Sequence, residues 1–319
     1  MSDLIARSSW LSINDSAWEA YRRPYVRDLA YVLACPTVLT RWLDFSTDTS
    51  SHPIAVHSRQ FWLTQFAAYQ GRLAALDNTT DYQHLTRYLL KRPSPNRLGF
   101  HFEGLLSFWL ADGYACGVHP FETLASNVQL FEGKQTTGEL DLILYNHTEK
   151  LTEHWELAIK FFMGSAPYAP KNWVGINAND NLARKITHMQ TKPFGTLWVD
   201  TVNHGRVKID KRYGVIKGRF FLSTHTIDFA YPEWLSPHFP MHEWYDKNDE
   251  ATFASLDASI LRQAHYIEWF TERDFYKRHK LSALSLAEDR LPTGLYFEGH
   301  RPLVIYPHVH GSRNDKVNS

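Results

Sequence analysis

Three acids and a lysine with the makings of phosphodiester chemistry fall on two short segments of alternating character. The first is Gly138-Glu139-Leu140-Asp141-Leu142-Ile143-Leu144, and the second is His154-Trp155-Glu156-Leu157-Ala158-Ile159-Lys160-Phe161. Side chains alternate faces along an extended strand. Glu139 and Asp141 therefore share one face, with Leu140, Leu142 and Leu144 on the other. In the second segment Glu156, Ala158 and Lys160 face away from Trp155, Leu157, Ile159 and Phe161. Cleaving a phosphodiester needs an activated water and neutralised charge on the phosphate. Carboxylates holding one or two Mg²⁺ ions supply both, and Mg²⁺ takes only one or two protein carboxylates per ion. A lysine beside the metal orients the water or stabilises developing charge.

For these groups to meet, the two strands must be neighbours. An antiparallel pair joined through residues 146–153 sets Asp141 opposite Ala158. Glu156 and Lys160 then flank it diagonally at about 7 to 8 Å between backbones.

The elements around the pair follow from periodicity. Residues 15–95 read as helical, with apolar spacing over 25–33 that stops before Pro36. A second helical stretch over 57–77 carries Phe61, Leu63, Phe66, Leu73 and Leu76. After the turn-rich Arg92-Pro93-Ser94-Pro95-Asn96, a helix over 98–111 should bury Phe102, Leu105, Leu106, Trp109 and Leu110. The period then becomes alternating: 124–131 reads as a strand leading into the acidic pair. Residues 164–177 read as a loop in which Trp173 either fills a local core or offers a ring to a base. Asn179 or Asp180 is the expected N-cap of a helix through Met189. Its apolar stripe is Leu182, Ile186 and Met189; Arg184, Lys185 and His188 lie off it. Strands over 196–202 and 213–223 follow, then a helix around 256–276. This order predicts an α/β core over 96–230 behind an N-terminal helical region (1–95), with a C-terminal extension over 231–319.

At this point the residues carry a resemblance. Gly138-Glu139-Leu140-Asp141 followed by Glu156-Leu157-Ala158-Ile159-Lys160 is similar to the active-site signature of the PD-(D/E)XK nuclease superfamily. The helix containing Gly99-Phe100-His101-Phe102-Glu103 precedes it, as the first core helix does in that superfamily. Within the superfamily the chain resembles a bacterial group known as domain-of-unknown-function family 1853. The resemblance implies a restriction-endonuclease-like core with a four-stranded mixed sheet flanked by helices. It further implies a Mg²⁺- or Mn²⁺-dependent nuclease acting on nucleic acid, DNA by expectation. Asp141 is then the central metal ligand, Lys160 the catalytic lysine and Glu103 an ancillary metal-binding acid. Arg184, Lys185 and His188 lie on the helix facing the substrate backbone. One position departs from the pattern: the acid two residues before the lysine is replaced by Ala158. Either Glu156 reaches back, or Glu139 supplies the missing carboxylate, or metal binding is weakened. In the last case the fold serves as a binding module for nucleic acid or a partner protein. The same carboxylates on a smaller substrate would make a third class, a non-nucleolytic metal hydrolase.

Composition narrows the field. The 319 residues are 44% hydrophobic and 14% aromatic, which argues for a packed globule rather than disorder. Thirty-four basic residues balance 34 acidic ones, so no global field draws the chain to nucleic acid, and a local basic patch must do so. Cys35 and Cys116 lie far apart without a CxxC or Cys/His spacing, which fits a reducing compartment. The N-terminus lacks a signal-peptide pattern, and no apolar run approaches the roughly 18 to 20 residues of a membrane span. A cytoplasmic protein is expected. There is no GxxxxGK[ST], GxGxxG or GxSxG. His308 and His310 share a strand face, and zinc there would need a further ligand such as His238 or His242.

Overall fold

Most of the helical and alternating periods form the elements they predict, and the sheet they build is larger than expected. The computed structural model describes residues 5–6, 17–45, 52–94, 97–177, 179–237, 239–249, 251, 255–257, 259–273 and 291–307. Helix α1 (Pro24–Ala34) opens on proline, where a missing N–H costs nothing, and ends at Cys35, held extended ahead of Pro36. Helix α2 (Arg59–Asn78) is capped by Ser58, whose side chain accepts from the Phe61 N–H at 3.1 Å. Its buried stripe is Trp62, Phe66, Tyr69, Leu73 and Leu76. Leu63, expected inside, is 37% exposed, because the stripe is centred one residue earlier on Trp62. Helices α3 (Tyr82–Leu90) and α4 (Leu98–Ala115) follow. The apolar face expected of α4 is buried, and Phe108 on its flank is buried too, since other elements surround it.

Three long strands come next: β3 (Phe121–Glu132), β4 (Gln135–Asn146) and β5 (Leu151–Gly164), forming an antiparallel meander. A short strand, β6 (Trp173–Gly175), pairs back onto the end of β5. The chain then crosses through helix α5 (Leu182–Thr191) and a small hairpin, β7 (Trp198–Thr201) with β8 (Gly205–Lys208). It returns as β9 (Lys211–Ser223), parallel to β5 over twelve paired positions. The N-cap of α5 is Asn181 rather than Asn179 or Asp180; its side chain accepts from the Arg184 N–H at 2.9 Å.

The sheet does not stop at the four strands β3, β4, β5 and β9. Strand β2 (Ile54–Ala55), from the N-terminal region, pairs with the start of β9. Beyond β9 come β11 (Met241–Asp246), β14 (Arg301–Tyr306), β13 (Gly294–Glu298) and β12 (Leu261–Gln263). The expected four-stranded sheet is thus a ten-stranded mixed sheet, because strands from both flanking regions extend it. The expected helix over 256–276 is also replaced: its described part holds β12 and a 3₁₀ turn, Tyr266–Glu268. There Leu256 and Leu261 pack with Tyr296 and Leu303 in a small core of their own. A further two-stranded pair joins β1 (Ile5–Ala6) to β10 (Asp228–Phe229).

Helices cover both faces of the central strands. Leu142, Leu144, Trp155, Leu157, Ile159 and Phe161 pack with α1, α2 and α4. On the opposite face Ala158 and Phe162 lie in a second core with Leu182, Ile186 and Met189 of α5. Trp173 is fully buried in that second core, so it fills structure rather than offering a ring. Leu140 departs from the face expected of it and packs with Ile143, Val199 and Ile209. Both cysteines are free, Cys35 buried and Cys116 exposed. Among the described residues no helix is long and apolar enough to cross a membrane.

Candidate active site

Asp141 stands where β4 and β5 part. Their ladder ends with Leu142 paired to Trp155, so the register carries Asp141 to Glu156 rather than to Ala158, two residues from the expected alignment. From there side chains replace the backbone ladder. The Leu157 N–H donates to Asp141 Oδ2 at 2.7 Å, and the Asp141 N–H donates to Glu156 Oε1 at 3.2 Å. β6 takes up the same edge of β5 only at Phe162. Residues 156–161 therefore have no strand neighbour on that side among the described residues. The gap is a notch in the sheet, and the acids line it.

Lys160 projects from the same face of β5 as Glu156, and its Nζ lies 2.5 Å from Asp180 Oδ2. Behind it on β9 stands Gly218, directly opposite in register. Gly218 has φ +141°, and a Cβ there would sit 1.7 Å from the Lys160 carbonyl oxygen. Only glycine lets the two backbones come this close. Ala158, where the superfamily pattern has an acid, is buried beneath α5.

Glu103 reaches the notch from α4. Its Oε2 is buried and accepts no hydrogen bond among the described residues, and the Arg92 guanidinium stays 3.8 Å away. Asn127 of β3 adopts φ +53° between Ser126 and Val128, which pair with Leu142 and Leu140. That places it opposite Asp141. Its amide donates to Glu139 Oε1 at 2.7 Å. Gln129 takes the other Glu139 oxygen at 2.6 Å. Glu139 is thus tied down by two amides, whereas Glu103 Oε2 has only the more distant Arg92 guanidinium beside it among the described residues.

The electrostatics follow from this crowding. Burial, then the Glu156 charge, raises Asp141 to about 8, against the pull of the Leu157 N–H and Lys185. Burial raises Glu156 to a similar value, opposed by its bonds to Asp141 and by Lys185. Burial, then Asp141, raises Glu103 to about 7. Lys185 is lowered by burial and by Lys160, and held up by Asp141, Glu156 and Asp180. It is the member of the α5 basic set that faces the acids. Arg184 and His188 are exposed, and the Arg184 guanidinium bonds the Asn179 carbonyl. The notch thus gathers Glu103, Asp141, Glu156, Lys160 and Lys185, with Glu139 beside it, and leaves Arg184 and His188 outside.

Three further side chains belong to this site. His154 Nε2 lies 2.8 Å from Glu156 Oε1, and burial followed by Arg212 lowers the imidazole to about 3. It is therefore neutral, and its Nε2 shares a hydrogen bond with the Glu156 carboxyl group. Its place two residues before Glu156, on the same strand face, is the signal that could have found it. Asp180 and Asn127 gave less: one resembles a helix cap, and the other depends on a local left-handed backbone.

The donors are all oxygens, and among the described residues one buried carboxylate oxygen has no hydrogen-bond partner, which suits a hard divalent cation. Among the described residues no three His, Cys, Asp or Glu side chains form a ready-made metal cage. Mg²⁺ does not demand one, because it keeps several waters. His308, His310 and His238, the zinc alternative, lie outside the described residues.

Fold and site together define a mixed α/β protein whose large sheet, flanked by helices, opens at an acid-and-lysine notch. A family described as "Domain of unknown function (DUF1853)" matches residues 27–290, and the chain belongs to that family. No curated protein and no solved structure matches it.

Proposed function

We propose that this chain is a Mg²⁺- or Mn²⁺-dependent nuclease that hydrolyses phosphodiester bonds in DNA, built on a PD-(D/E)XK-type core. The order α4, β3–β4–β5 meander, α5, then β9 parallel to β5 supports that core as a unit within the wider sheet. One observation carries the assignment: Asp141 meets Glu156 at the strand junction, with Lys160 beyond them on the same face and Glu103 within electrostatic reach. Asp141 and Glu156 would hold the metal, and Glu103 would offer its Oε2, which makes no hydrogen bond among the described residues. Glu139, with both oxygens engaged by amides, is the weaker ligand. When bound, the ion supplies a water of lowered pKa and a positive charge at the phosphate. The chain does the rest. Lys160 sets an ammonium group against the charge that develops on the phosphate, and Asp180 positions it. His154 orients the Glu156 carboxylate, and Lys185 tempers the repulsion among the acids.

The burial of Ala158 beneath α5 favours a second reading, a nuclease fold that binds nucleic acid or a partner without cutting. Cleavage of labelled DNA with Mg²⁺ or Mn²⁺ separates the two. We expect Asp141→Ala and Lys160→Ala each to lower the rate by about a hundredfold or more. Undiminished cleavage in either variant contradicts the nuclease assignment, and a wild type that binds DNA without cutting establishes the second reading.

A further inference from the structure

The chain as a whole is electroneutral, but residues 181–209 are not. They hold Arg184, Lys185, Lys192, Arg206 and Lys208 against the single acid Asp200. This segment comprises α5 and the β7–β8 hairpin. Val199 and Val207, on the inner side of the hairpin, pack with Leu140 and Ile143 of β4. Leu140 is the residue between Glu139 and Asp141, so the hairpin is fixed to the stretch of strand that carries the acids.

Its outer side is built differently. Trp198 stands opposite Lys208, and Asp200 opposite Arg206. Trp198 is 48% exposed, and the Arg206 guanidinium lies 5.5 Å from its ring centre. Among the described residues half of this indole is left uncovered, with Arg206 near the ring and Lys208 opposite it in register. Bases within a duplex already stack on one another, whereas an unpaired base has a free face, and indole with adjacent cations is a platform for it. We propose that the outer face of the β7–β8 hairpin binds unpaired DNA, with a base on Trp198 and phosphates on Arg206 and Lys208. This rests on the nuclease reading and gives it a substrate class: single strands, overhangs or frayed ends delivered to the notch.

The test is fluorescence anisotropy of a labelled single-stranded oligonucleotide and of a blunt hairpin duplex, with the full-length protein and chelator present. We expect the single strand to bind more tightly than the duplex. Trp198→Ala should weaken single-strand binding on the order of tenfold, and Trp198→Phe should restore most of it. The double variant Arg206→Glu/Lys208→Glu should flatten the salt dependence, by roughly 0.7 in log–log slope for each phosphate that is no longer neutralised. Equal affinity of wild type and Trp198→Ala overturns the hairpin, as does equal affinity for both DNA forms. Parallel cleavage assays keep the two ideas apart. If the wild type cuts DNA and Trp198→Ala binds equally well, the hairpin falls and the nuclease stands. If Trp198-dependent binding occurs without any cleavage, the hairpin stands and the nuclease falls.

Discussion

A carboxyl group moved out of water beside other carboxyl groups keeps its proton until a cation takes its place. Asp141 and Glu156 are raised toward 8 and Glu103 toward 7, far above their range in an unfolded chain. The folded state therefore binds protons that the unfolded state has released. That contribution is fully present at acid pH and is lost as pH rises through the folded values. Metal-free protein should accordingly lose thermal stability progressively as pH rises from about 4, where these carboxyls ionise in the unfolded chain, to about 8, where they ionise in the folded one. Lys217, lowered to about 7 by burial, acts in the opposite sense at the upper end, so a variant is needed to isolate the acids. Asp141→Asn keeps an oxygen for the Leu157 N–H and removes the charge. It should raise the metal-free Tm at pH 9 by a few degrees, about 1–2 kcal/mol, and leave it nearly unchanged at pH 4, where the carboxyl is protonated in the folded chain and partly so in the unfolded one. Thermal scans at the two pH values check this, and equal shifts at both would contradict it. At this scale alternation alone gave Glu139, Asp141, Glu156 and Lys160. His154, Asn127 and Asp180 stayed hidden because their roles depend on which strand residue faces which.

At the scale of elements, the notch exists because β5 changes neighbours midway, from β4 to β6, while β9 supports its other edge throughout. Gly218 is the tightest point of that support. Gly218→Ala would set a methyl against the Lys160 carbonyl in a backbone conformation that side chains rarely adopt. We expect it to cost about 3 kcal/mol or more in urea unfolding. We also expect it to reduce cleavage, because the Lys160 backbone must move; a change below about 0.5 kcal/mol would show that the close approach does not matter. The long helices and strands were legible from their periods. The antiparallel pairing of β4 with β5 was legible too, but not its register, which is set by the turn after Asn146 and by the side-chain bonds at Asp141. The segment near Leu261 illustrates the limit. Short apolar runs fit helix or strand equally well, and here pairing with β13 decided.

At the scale of the molecule, distant parts of the chain converge on one sheet and one polar network. Asp28 of α1, fully buried, accepts hydrogen bonds from His101 of α4 at 3.0 Å and from Thr271 and Arg273 near the other end of the described chain. Such long-range pairing leaves no local signature, which is why four strands were expected and ten occur. The acid notch lies in the part of the sheet that was legible, and the nuclease reading requires that it hold a metal ion. Calorimetric titration of Mn²⁺ into wild-type protein and Asp141→Ala at pH 8 tests this requirement head-on. We expect saturable binding to the wild type with release of protons, and at least about a tenfold loss of affinity in the variant. Identical isotherms for the two proteins, or no binding to the wild type, would show that the notch is not a metal site.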